Sequence, residues 1–252
     1  MQTKPSISAL LAAALLLAAC SPGKPTDSGA ASDSPSQQAD LSWYMPAAFM
    51  AAFGAAAPAP HDIQRDGKSQ TLQFSPNLLV DIGQGRLALV STSAAPPDDC
   101  TLCGASVAVH YLQKTADGGF KVAGQWWDLL PPDPLDQPPE VRVRQGLFDR
   151  PALQVEVAHR DRGCESAAAS LFEFTPQGPV LRARAIPTAR NNIPMGAMRV
   201  GPQVDLYGNI LPDAPGKTFK VRYHGSFEGD ATYGRSASGV WAAQGAFNLP
   251  VC

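Results

Sequence analysis

Charge is scarce in this sequence: Asp, Glu, Lys and Arg make up 17% of its 252 residues, and the formal net charge is −2. The basic residues are mixed with acidic ones along the chain and form no positive stripe. A nucleic-acid-binding surface needs Lys and Arg clustered on one face to neutralise phosphates. We therefore expect no nucleic-acid partner.

Long apolar runs are also few. A run rich in Leu and Ala occupies residues 7–17, with Lys4 before it and small residues after it. About eleven apolar residues are too few to cross a hydrocarbon core, which takes about twenty. A positive start, a short apolar run and a small-residue cleavage region are typical of a secretory signal peptide that is removed.

The end of this segment, Leu17-Ala18-Ala19-Cys20, resembles the lipobox of bacterial lipoproteins. The resemblance implies that residues 1–19 are removed and that Cys20 becomes the lipidated first residue. Acyl chains of this kind hold a protein firmly on a membrane. Ser21, where Asp would favour retention at the inner membrane, implies an outer-membrane location facing the periplasm.

Residues 20–40 follow as a lipidated cysteine and a flexible tether, because Ser, Pro, Gly, Ala, Asp and Gln dominate them. Twenty residues of such chain span roughly 25 Å. Residues 41–252 are long enough for a single β-rich globular domain with a sizeable core.

Within that domain, 24 prolines and 22 glycines in the chain favour short strands and turns over long helices. We predict one short helix over Trp43–Ala57, then strands that begin with residues 70–74, 78–82 and 87–91. Asp117-Gly118-Gly119 predicts a hairpin turn between two further strands. A strand, a loop ending in a cysteine and a hairpin occur in this order over residues 87–122 and again over residues 153–182. The sequence thus predicts a mainly β, antiparallel domain, either β-propeller-like or a β-sandwich with one N-terminal helix.

Cysteines number five, so four remain beside Cys20: Cys100, Cys103, Cys164 and Cys252. An even number in an oxidising compartment predicts two disulfides. Three pairings are possible, and we slightly favour Cys100 with Cys103 and Cys164 with Cys252. A redox role for Cys100 and Cys103 is less expected, because no helix start follows a strand there.

Motifs for catalysis, metals and cofactors are incomplete. The stretch at Ser236 lacks the last glycine of the nucleophile elbow, and His159-Arg160-Asp161 has no phosphate loop or metal-binding triplet around it. His110 sits at an ordinary strand position without a second close pair of ligands. We expect no enzyme activity, no metal site and no cofactor.

One segment stands out as a partner-binding candidate. Residues 126–140 combine two tryptophans, four acids and five prolines. Prolines lower the entropy lost on binding, tryptophans anchor interfaces, and carboxylates steer a basic partner. The alternative is that the tryptophans belong to the core and the prolines protect edge strands. The predicted contact residues are Trp126, Trp127, Asp128, Asp133, Asp136 and Glu140.

The layout of lipobox, tether and repeat-bearing β domain resembles envelope lipoproteins that act as lysozyme inhibitors or as immunity proteins. That resemblance implies a non-enzymatic binding module that has a protein partner. The module itself is anchored to the membrane through its lipid. The alternatives are a structural or assembly lipoprotein of the outer membrane and a small hydrolase.

Overall fold

The computed structural model describes residues 41–65, 67–94, 105–130, 138–161, 163–192, 202–245 and 248–250. All of them belong to one compact unit, Ser36–Cys252. The predicted signal peptide, Cys20 and the tether lie outside the described residues.

The N-terminal helix is shorter than predicted. A 3-10 turn, Ser42–Tyr44, leads into α1, Met45–Phe53, with Pro46 in the first turn. Gly54 ends the helix with a left-handed φ of 69°, and its N–H bonds back to the Met50 carbonyl. A glycine adopts this conformation at no steric cost, so the helix ends here and not at Ala57. No helix among the described residues is long and apolar enough to cross a membrane.

The remaining elements are strands, which confirms the mainly β prediction. They are β1 Ala59–Arg65, β2 Lys68–Gly83, β3 Arg86–Ala94, β4 Val107–Lys114, β5 Phe120–Trp126, β6 Glu140–Arg144, β7 Ala152–Asp161, β8 Cys164–Thr175, β9 Gly178–Asn191, β10 Asp205–Ala214, β11 Thr218–Gly225, β12 Gly229–Arg235 and β13 Trp241–Ala243.

The first five strands form an antiparallel meander in chain order. Two strands predicted at residues 70–74 and 78–82 are one long strand, β2. Its register against β3 shifts between Pro76 and Leu78. A bulge there accommodates the proline, which has no N–H to donate to a ladder.

The other eight strands form a second sheet in the order β10-β11-β12-β13-β9-β8-β7-β6. Because β10 also pairs with β9, the strands β9 to β13 form a closed ring. β9 pairs with β13 at Ala183 and with β10 at Ala189. Ala185 lies between these points with a left-handed φ of 53°, which bends β9 so that one strand serves both neighbours.

The closed ring is filled by aliphatic side chains and by a group of stacked aromatic ones. Phe219 stacks on Tyr233 with ring centroids 4.9 Å apart, and its ring also stacks with Trp241 at 5.7 Å. Phe148, from the segment between β6 and β7, meets Trp241 edge-on at 5.1 Å. Burying such rings supplies much of the apolar area that stabilises a domain.

The two sheets share one apolar core. Val90 and Val109 of the first sheet belong to the same buried cluster as Leu153, Val155 and Phe174 of the second. The opposite face of the first sheet packs on α1, where Phe49 is buried with strand leucines. The first sheet therefore lies between the helix and the second sheet.

Both copies of the predicted repeat are three-stranded meanders. The first copy is β3, β4 and β5, and the second is β7, β8 and β9. In the second copy, Cys164 is the first residue of β8 and pairs with Asp161 of β7, so it lies within a strand and does not end a loop as predicted. The likeness is therefore of strand order, with different connections.

Trp126 gives a test of the packing between the sheets. A Cβ built on Gly178, whose φ is 145°, meets Trp126 Cε2 at 2.7 Å. We expect Gly178→Ala to lower the free energy of unfolding by about 3 kcal/mol, from overpacking and backbone strain together.

The matched control is Gly118→Ala, since Gly118 has a φ of 84° with no atom within 4 Å of the added Cβ. Strain alone should cost about 1 kcal/mol there. Urea unfolding of the two variants measures both losses, and equal losses would show that Trp126 is not packed against the β8–β9 turn.

Candidate functional site

The two edge strands of the first sheet meet through side chains. His61 of β1 stacks on Trp127, which directly follows β5, with ring centroids 3.4 Å apart and planes 12° from parallel. Arg65, the last residue of β1, forms an ion pair with Asp128. We call these four residues, His61, Arg65, Trp127 and Asp128, the clasp. It joins strands that are four positions apart in the sheet order.

The ion pair of the clasp has two-point geometry. Arg65 Nε donates to Asp128 Oδ2 at 2.8 Å, and Arg65 Nη2 donates to Oδ1 at 2.7 Å. Nη2 also donates to the Ala105 carbonyl at 3.1 Å. The Arg65 side chain is 9% exposed and the Asp128 side chain 24%. Two parallel charge-assisted bonds in such a setting are stronger and more directional than a surface ion pair.

Two serines extend the clasp to the neighbouring loop. The buried Ser106 hydroxyl lies 2.8 Å from Asp128 Oδ1 and 3.0 Å from the Trp127 carbonyl oxygen. The Ser106 N–H donates to Ser93 Oγ at 2.8 Å, and the Ser93 N–H donates to the Ser106 carbonyl at 3.0 Å. Ser93 and Ser106 therefore join the two ends of the segment that contains Cys100 and Cys103.

An aromatic cluster lies behind the clasp. Trp127 meets Phe53 of α1 edge-on at 5.3 Å and His110 of β4 at 4.5 Å. His110 has 0% exposed surface, and neither ring nitrogen has a hydrogen-bond partner. Burial, with a smaller contribution from nearby His61, lowers the pKa of His110 to about 4. His110 is thus a packed, neutral core residue.

The structure places the predicted tryptophans and Asp128 against other parts of the protein. Trp127 and Asp128 belong to the clasp. Trp126 lies 4.8 Å from the Tyr111 ring and is half-buried between the sheets. These contacts make the three residues supports for the segment that follows them. They correspond to the alternative in which the tryptophans belong to the core.

The acids of the predicted contact segment are placed differently. The Glu140 side chain is 67% exposed and accepts a 2.6 Å bond from Arg142, which is also exposed. Asp133 and Asp136 lie outside the described residues. An exposed ion pair contributes little to stability, so Glu140 remains accessible to another charged group.

Among the cysteines, only Cys164 is described, and it is disulfide-bonded. Cys100, Cys103 and Cys252 lie outside the described residues, so the pairing stays a prediction.

Metal-ligating side chains form no cluster in the part of the chain that the structure describes. No three His, Cys, Asp or Glu side chains converge there as a metal site. Ser236 Oγ lies 2.7 Å from Ser238 Oγ on an exposed turn. Among the described residues, no histidine is hydrogen-bonded to this serine hydroxyl.

A polar groove lies at the opposite end of the first sheet. Arg86, Gln113 and Lys121 occupy matched positions on β3, β4 and β5, so they form a row across three strands. The groove holds about 570 Å³. Arg86 is oriented by bonds to the Pro176 carbonyl and to Gln84 Oε1. This row presents two positive charges around an amide and can bind an anionic group.

The clasp could not be predicted from sequence spacing, because Arg65 and Asp128 are 63 residues apart. β1 itself was not predicted, although Ile63 and Ala59 point inward in an alternating pattern. No protein-family model, curated protein or solved structure matches the chain.

Lowering the pH should destabilise the fold through His110. The unfolded histidine binds a proton with a pKa near 6.5, whereas the folded value is about 4. The contribution of neutral His110 is therefore complete above pH 6.5 and is lost as the pH falls towards 4. At pH 5 the loss amounts to about 2 kcal/mol.

Urea unfolding of the wild type and of His110→Leu at pH 7.5 and pH 5.0 measures this loss. The other titrating groups are common to both proteins, so the variant should lack most of the His110 contribution. An equal fall in stability for both proteins would contradict the assignment.

Proposed function

We propose that this chain is a lipid-anchored envelope protein that acts as a non-enzymatic binding module, with the segment from Asp128 to Glu140 contacting a protein partner. In this proposal Cys20 carries the lipid and the protein resides at the outer membrane. The partner is an envelope-targeting hydrolase with a basic substrate cleft, which the protein inhibits.

The observation that carries the proposal is the fixed base of this segment. Asp128 is bound by Arg65 at one end, and Glu140 begins β6 in the other sheet at the other end. A loop whose two ends are fixed loses less conformational entropy when a partner binds. The prolines of the segment act in the same direction.

The proposal differs from the sequence prediction in the roles that it gives to the tryptophans and the acids. Half-buried Trp126 and Trp127 hold the base of the segment, and the acids reach the partner. The carboxylates of Asp133, Asp136 and Glu140 then provide long-range attraction and orientation. A slow dissociation rate requires contacts made by other residues of the same segment.

The fold supports the resemblance to inhibitor and immunity lipoproteins only in type. Of the two architectures predicted, a sandwich is supported better, because Val90 and Val109 pack against Leu153 and Val155 across a common core. A propeller requires radial packing of equivalent blades. We therefore propose a sandwich extended by the closed ring.

Association with a lysozyme, whose cleft accepts a glycan, is the first test of the proposal. We expect the triple variant Asp133→Asn, Asp136→Asn and Glu140→Gln to slow association about tenfold at low salt and to flatten its salt dependence, since steering scales with charge. Surface plasmon resonance at several salt concentrations measures both effects.

The control is Asp213→Asn, Glu228→Gln and Asp230→Asn, which removes the same charge from the closed ring, where these side chains make exposed bonds. It should change association far less. Equal effects of the two triples would mean that net charge, and not this segment, guides the partner. If neither lysozyme nor any secreted hydrolase found to be encoded next to this gene is bound or slowed, the inhibitor proposal fails.

A further inference from the structure

The outward face of α1 is apolar, which is unusual for the exposed side of a helix on a small domain. Trp43 is 67% exposed and Met50 48%. Pro46 and Ala47 are exposed between them. These four positions follow the spacing i, i+3, i+4 and i+7, so they share one side of the helical segment.

No charged residue occurs between Leu41 and Pro60. The inward side of the same helix is packed: Ala48 and Phe49 are buried on the first sheet. Apolar residues on nearly every side of the helix predict that it packs beneath the domain, and the Lys and Arg typical of a surface-lying membrane helix are absent. In the structure, one side of the helix packs against the first sheet and the opposite side faces outward.

Trp43 is held in this outward position. Its ring stacks on Tyr44 with centroids 3.3 Å apart. Tyr44 in turn meets Phe120 edge-on at 5.6 Å and carries the Lys114 ammonium 4.4 Å above its ring. The tryptophan is thus braced by a fixed neighbour, and a positive charge lies beside it.

We propose that this face, Trp43, Pro46, Ala47 and Met50, lies on the surface of the bilayer to which Cys20 is anchored. The inference rests on the proposed lipid anchor. Tryptophan is enriched at the boundary between headgroups and acyl chains, and lysine beside it suits anionic headgroups.

The length and end point of the preceding chain favour a bilayer. Residues 21–40 join the anchor directly to Leu41, where the described helix region begins. If they form the tether that their composition predicts, they span roughly 25 Å. Such a tether makes contact with the bilayer intramolecular, so a small apolar face can stay bound although it would bind weakly alone.

A second copy of the chain is less suited than a bilayer to cover this face. A nine-residue helix is about 14 Å long, whereas a stable protein interface buries about 800 Å² on each partner. One row of four side chains is far smaller than that. Self-association through this face is therefore kept as an outcome of the experiment.

The experiment uses the mature chain from Cys20, coupled through the Cys20 thiol to a maleimide lipid in vesicles of phosphatidylcholine and phosphatidylglycerol. Chemical coupling supplies the anchor whether or not the cell lipidates Cys20. Mass spectrometry of the protein from its native membrane answers the lipidation question separately. The two proposals can therefore fail independently.

The readout is quenching of tryptophan emission by phosphatidylcholine brominated near the headgroup end of its acyl chains. The difference between the wild type and Trp43→Phe isolates Trp43. We expect Trp43 to lose most of its emission in brominated vesicles and to shift to shorter wavelength in unbrominated ones.

The control is Tyr207→Trp in the Trp43→Phe background, because Tyr207 is an exposed aromatic residue on β10 in the closed ring. Its indole should be quenched far less. Unquenched Trp43 in coupled protein overturns the proposal, as does equal quenching at both positions. A Trp43 blue shift that depends on protein concentration without lipid also overturns it, in favour of self-association.

Discussion

The first sheet depends on one constraint: its edge strands, β1 and β5, must be held together by side chains. The clasp does this with a stacked pair, His61 on Trp127, and a two-point ion pair, Arg65 with Asp128. Exposed sheet edges are sites of unwanted pairing, and joining them removes part of that exposure. Because Asp128 also contacts Ser106, the clasp connects the end of β5 with the approach to β4.

The two regions with proposed roles lie at different places on the first sheet. The clasp supports the segment from Asp128 to Glu140. The N-terminal helical region covers one face of the first sheet and exposes Trp43 and Met50 on its own outer side. Phe53, at the end of α1, touches Trp127 of the clasp. The segment proposed to contact a partner and the helix proposed to contact the membrane therefore rest on one shared aromatic cluster.

Local patterns predicted local structure well. The hairpin around Asp117-Gly118 forms as expected, because these residues suit the turn. The sequence predicts that the helix ends at Ala57, whereas it ends before Gly54. The alanines after Gly54 favour a helix and so hide the end that this glycine causes. β1 is not predicted, because Pro60, His61 and Asp62 interrupt the apolar pattern between Ala59 and Ile63. Contacts between distant segments, such as β9 with β10 or Arg65 with Asp128, follow from packing and are not encoded in any short pattern.

A double-mutant cycle on Arg65→Gln and Asp128→Asn tests the account most directly. Neighbouring charges joined by two bonds in a partly buried site should be coupled by about 2 kcal/mol in the free energy of unfolding. The exposed pair Glu140 and Arg142, treated in the same way, should be coupled by less than about 0.5 kcal/mol. A coupling for Arg65 and Asp128 as small as that of the exposed pair would contradict the clasp as the contact that holds the first sheet together.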